Sequence, residues 1–172
     1  MDPEHAIRTR RTHKAYGPEP VSRQTLQELF ELARWAPNHH LTNPWRFYVL
    51  GERTRERLKL LAEADKPGSA VKLDRAPTLV AVTATASGEA TQDLEDLLAS
   101  AVAAYIVLLA AHGRGLAGYW RTVGLLDRPA GRALLGIGAG ERVLGLLHLG
   151  NPRQPQRVPE RSETAEIVSY LD

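Results

Sequence analysis

The chain contains no cysteine, and aromatic residues make up only 6% of its 172 positions. Without thiols it can form neither a disulfide nor a thiolate metal site, and it has no cysteine nucleophile or thiol redox couple. Any redox chemistry must therefore come from a bound cofactor. Its 22 basic and 20 acidic residues leave a net charge of +2, which gives little support to nucleic-acid binding.

A long uninterrupted apolar run is also missing. The longest run covers 15 residues, 97–111, and includes Ser100 and Tyr105, whereas a membrane span needs about 20 apolar residues. We therefore predict a buried helix there and no membrane partner. The first residues are acidic and lack the basic start and apolar core of a secretory signal, so we expect a cytoplasmic location. The length predicts a single domain over residues 1–172.

Hydrophobic periodicity and capping residues predict helices that alternate with strands. The predicted helices cover about 3–11, 23–36, 54–64 and 91–112, with a short helix after Pro129. The predicted strands cover 45–50, 78–84, 116–122 and 143–149. This alternation, without internal repeats or linkers, favours one sheet layered between helices. The segment 151–161 is rich in proline and arginine, so we expect it to lie across another surface.

A basic cluster, Arg10-Arg11-Thr12-His13-Lys14, follows the first predicted helix. Guanidinium forks, an ammonium group and a hydroxyl donor together suit a dianionic phosphate. The alternative is a solvated helix end, where cations lie near the negative pole of the helix dipole. The cluster alone does not decide between the two interpretations.

A dense polar loop, 36–47, separates the second helix from the first strand. Its adjacent His39 and His40 suggest a metal site, but neighbours in sequence rarely converge on one ion, and the loop contains no acidic residue. Donors from asparagine, histidine and threonine could instead meet a flat heterocycle, with Trp45 and Phe47 anchored in the core. A capped loop on an ordinary sheet remains the alternative.

The third cluster lies on the third predicted strand, where Arg121 stands between Trp120 and Thr122. An arginine there could hold the edge of a pyrimidine-like ring or stabilise negative charge on it. Alternatively, Tyr119 and Trp120 pack in the core and Arg121 points to solvent. Glycine-rich nucleotide motifs and a serine nucleophile elbow do not occur, and the glycine-rich run 136–140 is predicted to be a loop.

Taken in this order, the three clusters resemble the nitroreductase family of flavoenzymes over nearly the whole chain. Arg-Arg-Thr-x-Lys resembles the family's phosphate-binding and ribityl-binding turn, and the loop resembles its Ala-Pro-Ser-x-x-Asn-x-Gln-Pro-Trp-x-Phe signature. The Pro-Trp-Arg-Phe and Trp-Arg-Thr sequences are similar to those of the short, minimal branch. The resemblance implies an α+β fold, a three-layer α/β/α sandwich with a central mixed or antiparallel sheet of about four to five strands.

The resemblance also implies FMN as the cofactor and assigns residues to it. The phosphate and ribityl group would meet Arg10, Arg11, Thr12 and Lys14, and a basic residue of the tail, Arg161 or less favourably Arg157. The isoalloxazine ring would be lined by Trp120, Arg121 and Thr122. The loop would touch the flavin bound mainly by a partner subunit, through Pro37, Asn38, His39 and Leu41.

The implied activity is hydride transfer from NADH or NADPH through the flavin to an electron-poor small molecule, such as a nitroaromatic or a quinone, by a ping-pong mechanism. The implied assembly is a homodimer with FMN at the subunit interface and the tail extended onto the partner. One alternative is a flavoprotein of the same fold that performs dehydrogenation, dehalogenation or flavin breakdown, and another is a non-catalytic flavin-binding dimer. A nucleic-acid module is disfavoured because the 18 arginines are spread among acidic residues.

Overall fold

The computed structural model describes residues 2–171 and is built on a four-stranded antiparallel sheet in the order β1-β2-β4-β3. The strands are β1 (Trp45–Val49), β2 (Thr78–Thr85), β3 (Ala117–Arg121) and β4 (Glu141–Gly150). The helices are α1 (Pro3–Thr9), α2 (Arg23–Ala33), α3 (Glu52–Asp65), α4 (Ala90–Gly113), α5 (Pro129–Leu135) and α6 (Thr164–Ile167). The α+β class predicted from the sequence is confirmed, with every strand pair antiparallel rather than mixed.

Helices cover both faces of the sheet, because successive residues of a strand point to opposite sides. Val80 and Val82 of β2 lie in a core shared with α2 and α4. Leu79 and Ala81, their neighbours in the chain, lie in a second core with residues of α3 and α5. The result is the three-layer arrangement of helix, sheet and helix.

The central helix α4 is apolar and long enough to cross a membrane by length and composition alone. In the structure its small residues Ala103 and Ala104 are completely buried, and the helix packs against β2 and α2. A Cβ added to Gly118 of β3 would lie 2.6 Å from the Leu108 Cδ2 atom, so any larger residue there would displace the Leu108 side chain. The interpretation of α4 as a core helix agrees with this packing.

Two predicted helix ends differ from the structure. Helix α1 is capped by Asp2, which accepts a hydrogen bond from the His5 amide, and it ends at Thr9 because Arg10 has an extended conformation, with ψ of 129°. Helix α2 is capped by Ser22 and ends at Ala33, three residues before the predicted end. A proline stops a helix without specifying which earlier residue is the last helical one.

The segment that follows α1 lies beside the ends of β3 and β4. Thr12 forms an isolated parallel bridge with Gly118, and the His13 amide donates to the Gly118 carbonyl at 3.2 Å. The Gly17 amide donates to the Asn151 carbonyl at 2.8 Å. These contacts bring the basic cluster of the sequence beside the edge strand of the sheet.

Candidate functional site

A cavity of about 550 Å³ brings together the start of the basic cluster and the C-terminal tail. Arg10, Arg11 and Arg161 line it, and the Arg10 guanidinium lies 5.8 Å from the centroid of the Tyr105 ring. The Arg10 Nε atom is buried and has no hydrogen-bond partner among the described residues. A buried nitrogen of a charged group with an unused donor is costly unless an anion pairs with it, so the cavity suits a phosphate or carboxylate.

The tail reaches this cavity through an extended segment. Val158, Pro159 and Arg161 belong to its lining, whereas Arg157 does not. Proline restricts the backbone and cannot donate to a helix or sheet, which keeps this segment extended. Of the two tail arginines considered from the sequence, the structure places Arg161 beside Arg10.

The basic cluster does not converge on one point. Thr12 is exposed and pairs with β3, and Lys14 lines a different cavity together with Arg55, Arg75 and Arg153. The side chains of Arg10 and Arg11 line a different cavity from that of Lys14, because the backbone between them is extended along the sheet. Arg10 and Arg11 thus share a cavity that Lys14 does not line, and the assignment of all four residues to the phosphate and ribityl group of FMN stays a prediction.

The aromatic and basic residues of β3 point to opposite faces. Trp120 packs on the core that contains α4, and its indole Nε1 donates to the Leu144 carbonyl at 3.1 Å. A Cβ at Gly145 would lie 2.7 Å from that nitrogen and 2.6 Å from the Arg121 carbonyl oxygen. Gly145, with φ of 146°, thus permits the indole to lie against a bulge between β2 and β4.

Arg121 occupies the other face, and burial lowers the pKa of its guanidinium. It pairs with Leu146 of β4, whereas Thr122, the next residue, is exposed. β3 is an edge strand whose outer side is bridged at Gly118 by Thr12. Among residues 2–171, no further strand pairs with the outer edge of 120–122, which leaves backbone groups there for a ligand.

The loop 38–43 is held in a strained conformation by hydrogen bonds. The Asn38 Oδ1 atom accepts from the Asn43 amide at 2.7 Å, and its Nδ2 atom donates to the Thr42 hydroxyl at 3.0 Å. His40, Leu41 and Asn43 all have positive φ, between 48° and 59°. Non-glycine residues rarely adopt this region, and such strain is concentrated at functional sites.

Two acidic residues of α4 fix this loop, and sequence reasoning gave neither of them a role. The Thr42 hydroxyl donates to the Asp96 carboxylate, which is only 3% exposed. The His39 Nδ1 atom lies 2.8 Å from the Glu95 Oε2 atom, and the His39 ring stacks on His40. More than fifty positions separate these partners in the chain, so no local signal in the sequence connects them.

The loop 38–43 and the cavity of Arg10, Arg11 and Arg161, which we call the arginine cavity, contact α4 at different positions along the helix. Asp96 holds the loop and Tyr105 lines the cavity, nine residues further along the helix. That spacing corresponds to about 13 Å of helix. Pro37, His39 and Leu41 are exposed beside the loop's attachment, with Leu41 at 77%. Within one chain the loop therefore presents its side chains to solvent, not to the arginine cavity.

Comparison with known proteins places this architecture in a family. The model of the Nitroreductase family matches residues 7–151. The chain is 29% identical over 161 residues to the Escherichia coli K12 protein named "Putative NAD(P)H nitroreductase YdjA", with 87% of each chain covered.

Solved structures show the same fold. A nitroreductase-like family protein from Bacillus cereus superposes with a TM-score of 0.90 and 24% identity, covering 100% of this chain and 97% of the other. The FMN- and NADPH-dependent nitroreductase NfnB of a sphigopyxis strain has a TM-score of 0.84 and 17% identity, with both chains fully covered. The match over residues 7–151 spans all four strands, the basic cluster and the loop 38–43, and it ends before the tail that carries Arg161. The chain belongs to the nitroreductase family.

Proposed function

We propose that this chain is an FMN-dependent oxidoreductase that transfers hydride from NADH or NADPH to an electron-poor small molecule. The observation that carries the proposal is the convergence of Arg10, Arg11 and Arg161 on one cavity between α1, α4 and the tail. Family membership supports an oxidoreductase, and NfnB, a structural neighbour, is FMN- and NADPH-dependent.

The residues present fit the phosphate end of FMN. The orphaned Nε of Arg10 supplies a buried donor, and Arg11 and Arg161 supply further charge within the same cavity. Planar guanidinium groups bind phosphate through paired charge-assisted hydrogen bonds. Thr12 follows Arg11 directly and its backbone bridges to Gly118, and we assign its hydroxyl to the ribityl group of FMN.

The outer edge of β3 suits the ring system. FMN supplies the two-electron chemistry when bound, and the protein supplies charge and orientation. Trp120 provides an aromatic wall fixed by its hydrogen bond to Leu144, and Thr122 is exposed at the end of the strand. Arg121 would stabilise negative charge on the pyrimidine side of the ring. Lys14 lines a different cavity, so its contact with FMN stays a prediction.

The loop acts on a second copy of the chain. Pro37, His39 and Leu41 are exposed and line no part of their own arginine cavity, so in a homodimer they are available to the partner's flavin. Asn38 contributes by holding the loop, since its side-chain amide binds Thr42 and Asn43. Leu94, Leu98 and Val102 support this assembly. They form an exposed apolar stripe on α4 at four-residue spacing, and a stripe of this kind favours burial against another subunit.

Donor and acceptor would use the same open face of the site in turn, which gives ping-pong kinetics. The test is steady-state oxidation of NADH and of NADPH by the FMN-loaded protein, with a nitroaromatic and with a quinone as acceptor. The proposal expects parallel lines in double-reciprocal plots with at least one pair. A flavin-loaded protein that no nicotinamide reduces would instead indicate the non-catalytic alternative, or a flavoprotein with other chemistry.

A further inference from the structure

A second basic cavity, of about 520 Å³, lies between the segment 14–20, helix α3 and the loop before β2. We call it the α3 cavity. Four cationic side chains line it: Lys14, Arg55, Arg75 and Arg153. Asp74 is the single acidic residue among its lining residues in the described part of the chain. It shares no lining residue with the cavity of Arg10 and Arg161.

The positive charge of the α3 cavity is only partly neutralised by the protein. Asp74 already binds Lys59 at 3.0 Å and Arg55 at 3.4 Å. Among residues 2–171, no carboxylate lies within 4.0 Å of the Lys14, Arg75 or Arg153 side chain. The Arg55 Nε atom is buried and has no hydrogen-bond partner in the same part of the chain. Several unpaired cations around one concave surface favour an anionic ligand.

His148 of β4 is also affected by the positive charge of the α3 cavity. Its side chain is completely buried, and neither ring nitrogen has a hydrogen-bond partner among the described residues. Burial, together with the charges of Arg121, Arg75 and Arg55, lowers the pKa of His148 to about 4. Two of these three arginines, Arg55 and Arg75, line the α3 cavity. His148 points to the α3 face of the sheet, because it follows Leu146 of the second core by two residues, so the arginines act on it from the same side.

We propose that the α3 cavity binds a phosphate group, supplied either by free inorganic phosphate or by the 2′-phosphate of NADPH. Two or more guanidinium groups with an ammonium group match the charge and the oxygen geometry of a phosphate dianion. The cavity is larger than one phosphate, so the remainder of a larger molecule can extend from it. The NADPH source rests on the function proposed above, whereas phosphate binding itself does not.

The first measurement uses inorganic phosphate and the FMN-loaded protein. Binding is followed by calorimetry at fixed ionic strength, with chloride as the balancing anion. Arg75→Gln and Arg153→Gln should each weaken phosphate binding about tenfold, the effect of losing one charge-assisted interaction. Arg153 is exposed, so its replacement leaves the core intact. Arg57→Gln is the control, because Arg57 lies on the same helix as Arg55 but lines a different cavity.

The second measurement identifies the source of the phosphate. If it is NADPH, Arg75→Gln raises the KM for NADPH about tenfold and leaves the KM for NADH unchanged. If both KM values stay unchanged while phosphate binding is lost, the ligand is free phosphate. Calorimetry measures phosphate binding directly, so binding can be detected even if no nicotinamide reduces the protein. The two proposals can therefore fail independently.

Three results would overturn the proposal. The first is no phosphate binding at millimolar concentration. The second is an equal loss of binding in Arg57→Gln and Arg75→Gln, which would indicate general surface charge. The third is release of FMN in proportion to the phosphate bound, which would place the anion in the cavity of Arg10 instead.

Discussion

The Thr42 hydroxyl donates a hydrogen bond of 2.5 Å to the buried carboxylate of Asp96, which ties the strained loop 38–43 to the first turns of α4. The same carboxylate oxygen accepts from Gln92 at 3.0 Å and lies 3.4 Å from the Asn38 amide nitrogen. One buried acid thus fixes a loop that has three residues at positive φ. A loop held this way can present His39 and Leu41 in one orientation.

Replacing Asp96 should therefore release the loop. Asp96→Ala leaves the Thr42, Gln92 and Asn38 donors without their acceptor, and we expect a loss of about 1–3 kcal/mol in the free energy of unfolding. Asp96→Asn keeps one acceptor oxygen and should lose less. Chemical denaturation measures both variants. Equal stability of the wild type and Asp96→Ala would show that the loop does not depend on this carboxylate.

The tail offers a matched pair of arginines. Arg161 lines the cavity of Arg10, whereas Arg157, four residues earlier, does not. Arg161→Ala should weaken FMN binding about 10- to 100-fold, the effect of losing one or two charge-assisted hydrogen bonds, and Arg157→Ala should leave it unchanged. Quenching of flavin fluorescence gives both dissociation constants. The reverse order of effects would reassign the tail contact to Arg157.

The apolar stripe of α4 predicts the assembly. Leu98 is 58% exposed at the centre of the stripe, so Leu98→Glu places a charge in the proposed interface. We expect a monomer by light scattering and weaker FMN retention, because the partner's loop is lost. Leu60→Glu is the control on α3, at 72% exposure. If the Leu98→Glu variant remained a dimer, this face of α4 would not be the interface.

His148 predicts a pH dependence of stability. Its pKa is about 4 in the folded protein against 6.5 ordinarily, so the folded state favours the neutral ring. The stabilisation is complete above pH 6.5 and is lost as the pH falls toward 4, by about 3 kcal/mol for one proton. His148→Leu should therefore lose less stability than the wild type across this range. His40 is exposed, so His40→Gln is the control and should show the same change in the free energy of unfolding with pH as the wild type. If His148→Leu also showed the wild-type change with pH, the assignment to His148 would be refuted.

The helices and strands could be predicted from the sequence because they depend on local signals. Capping by Ser22 and the β-branched content of β2 are encoded within a few residues, and the capped helix and the strand both appear in the structure. β2 is buried on both faces, so its predicted alternation of buried and exposed residues is absent. The positions of Arg10, Lys14 and Arg161 were harder to predict, because they depend on how the extended segment after α1 crosses the sheet.

The long-range partners could not be predicted. Asp96 and Glu95 read as an ordinary acidic start of a helix, and their contacts with Thr42 and His39 depend on how the loop packs against α4. His148 lies in an apolar strand sequence, and nothing near it in the chain indicates the arginines that surround it. Tertiary packing, not local propensity, creates these relationships.

The visible absorption spectrum of the purified protein under anaerobic conditions tests the central claim most directly. We expect flavin bands that bleach on addition of NADH or NADPH and return when a nitroaromatic or a quinone is added. A colourless protein that takes up no added FMN, or flavin bands that neither nicotinamide bleaches, would contradict the account.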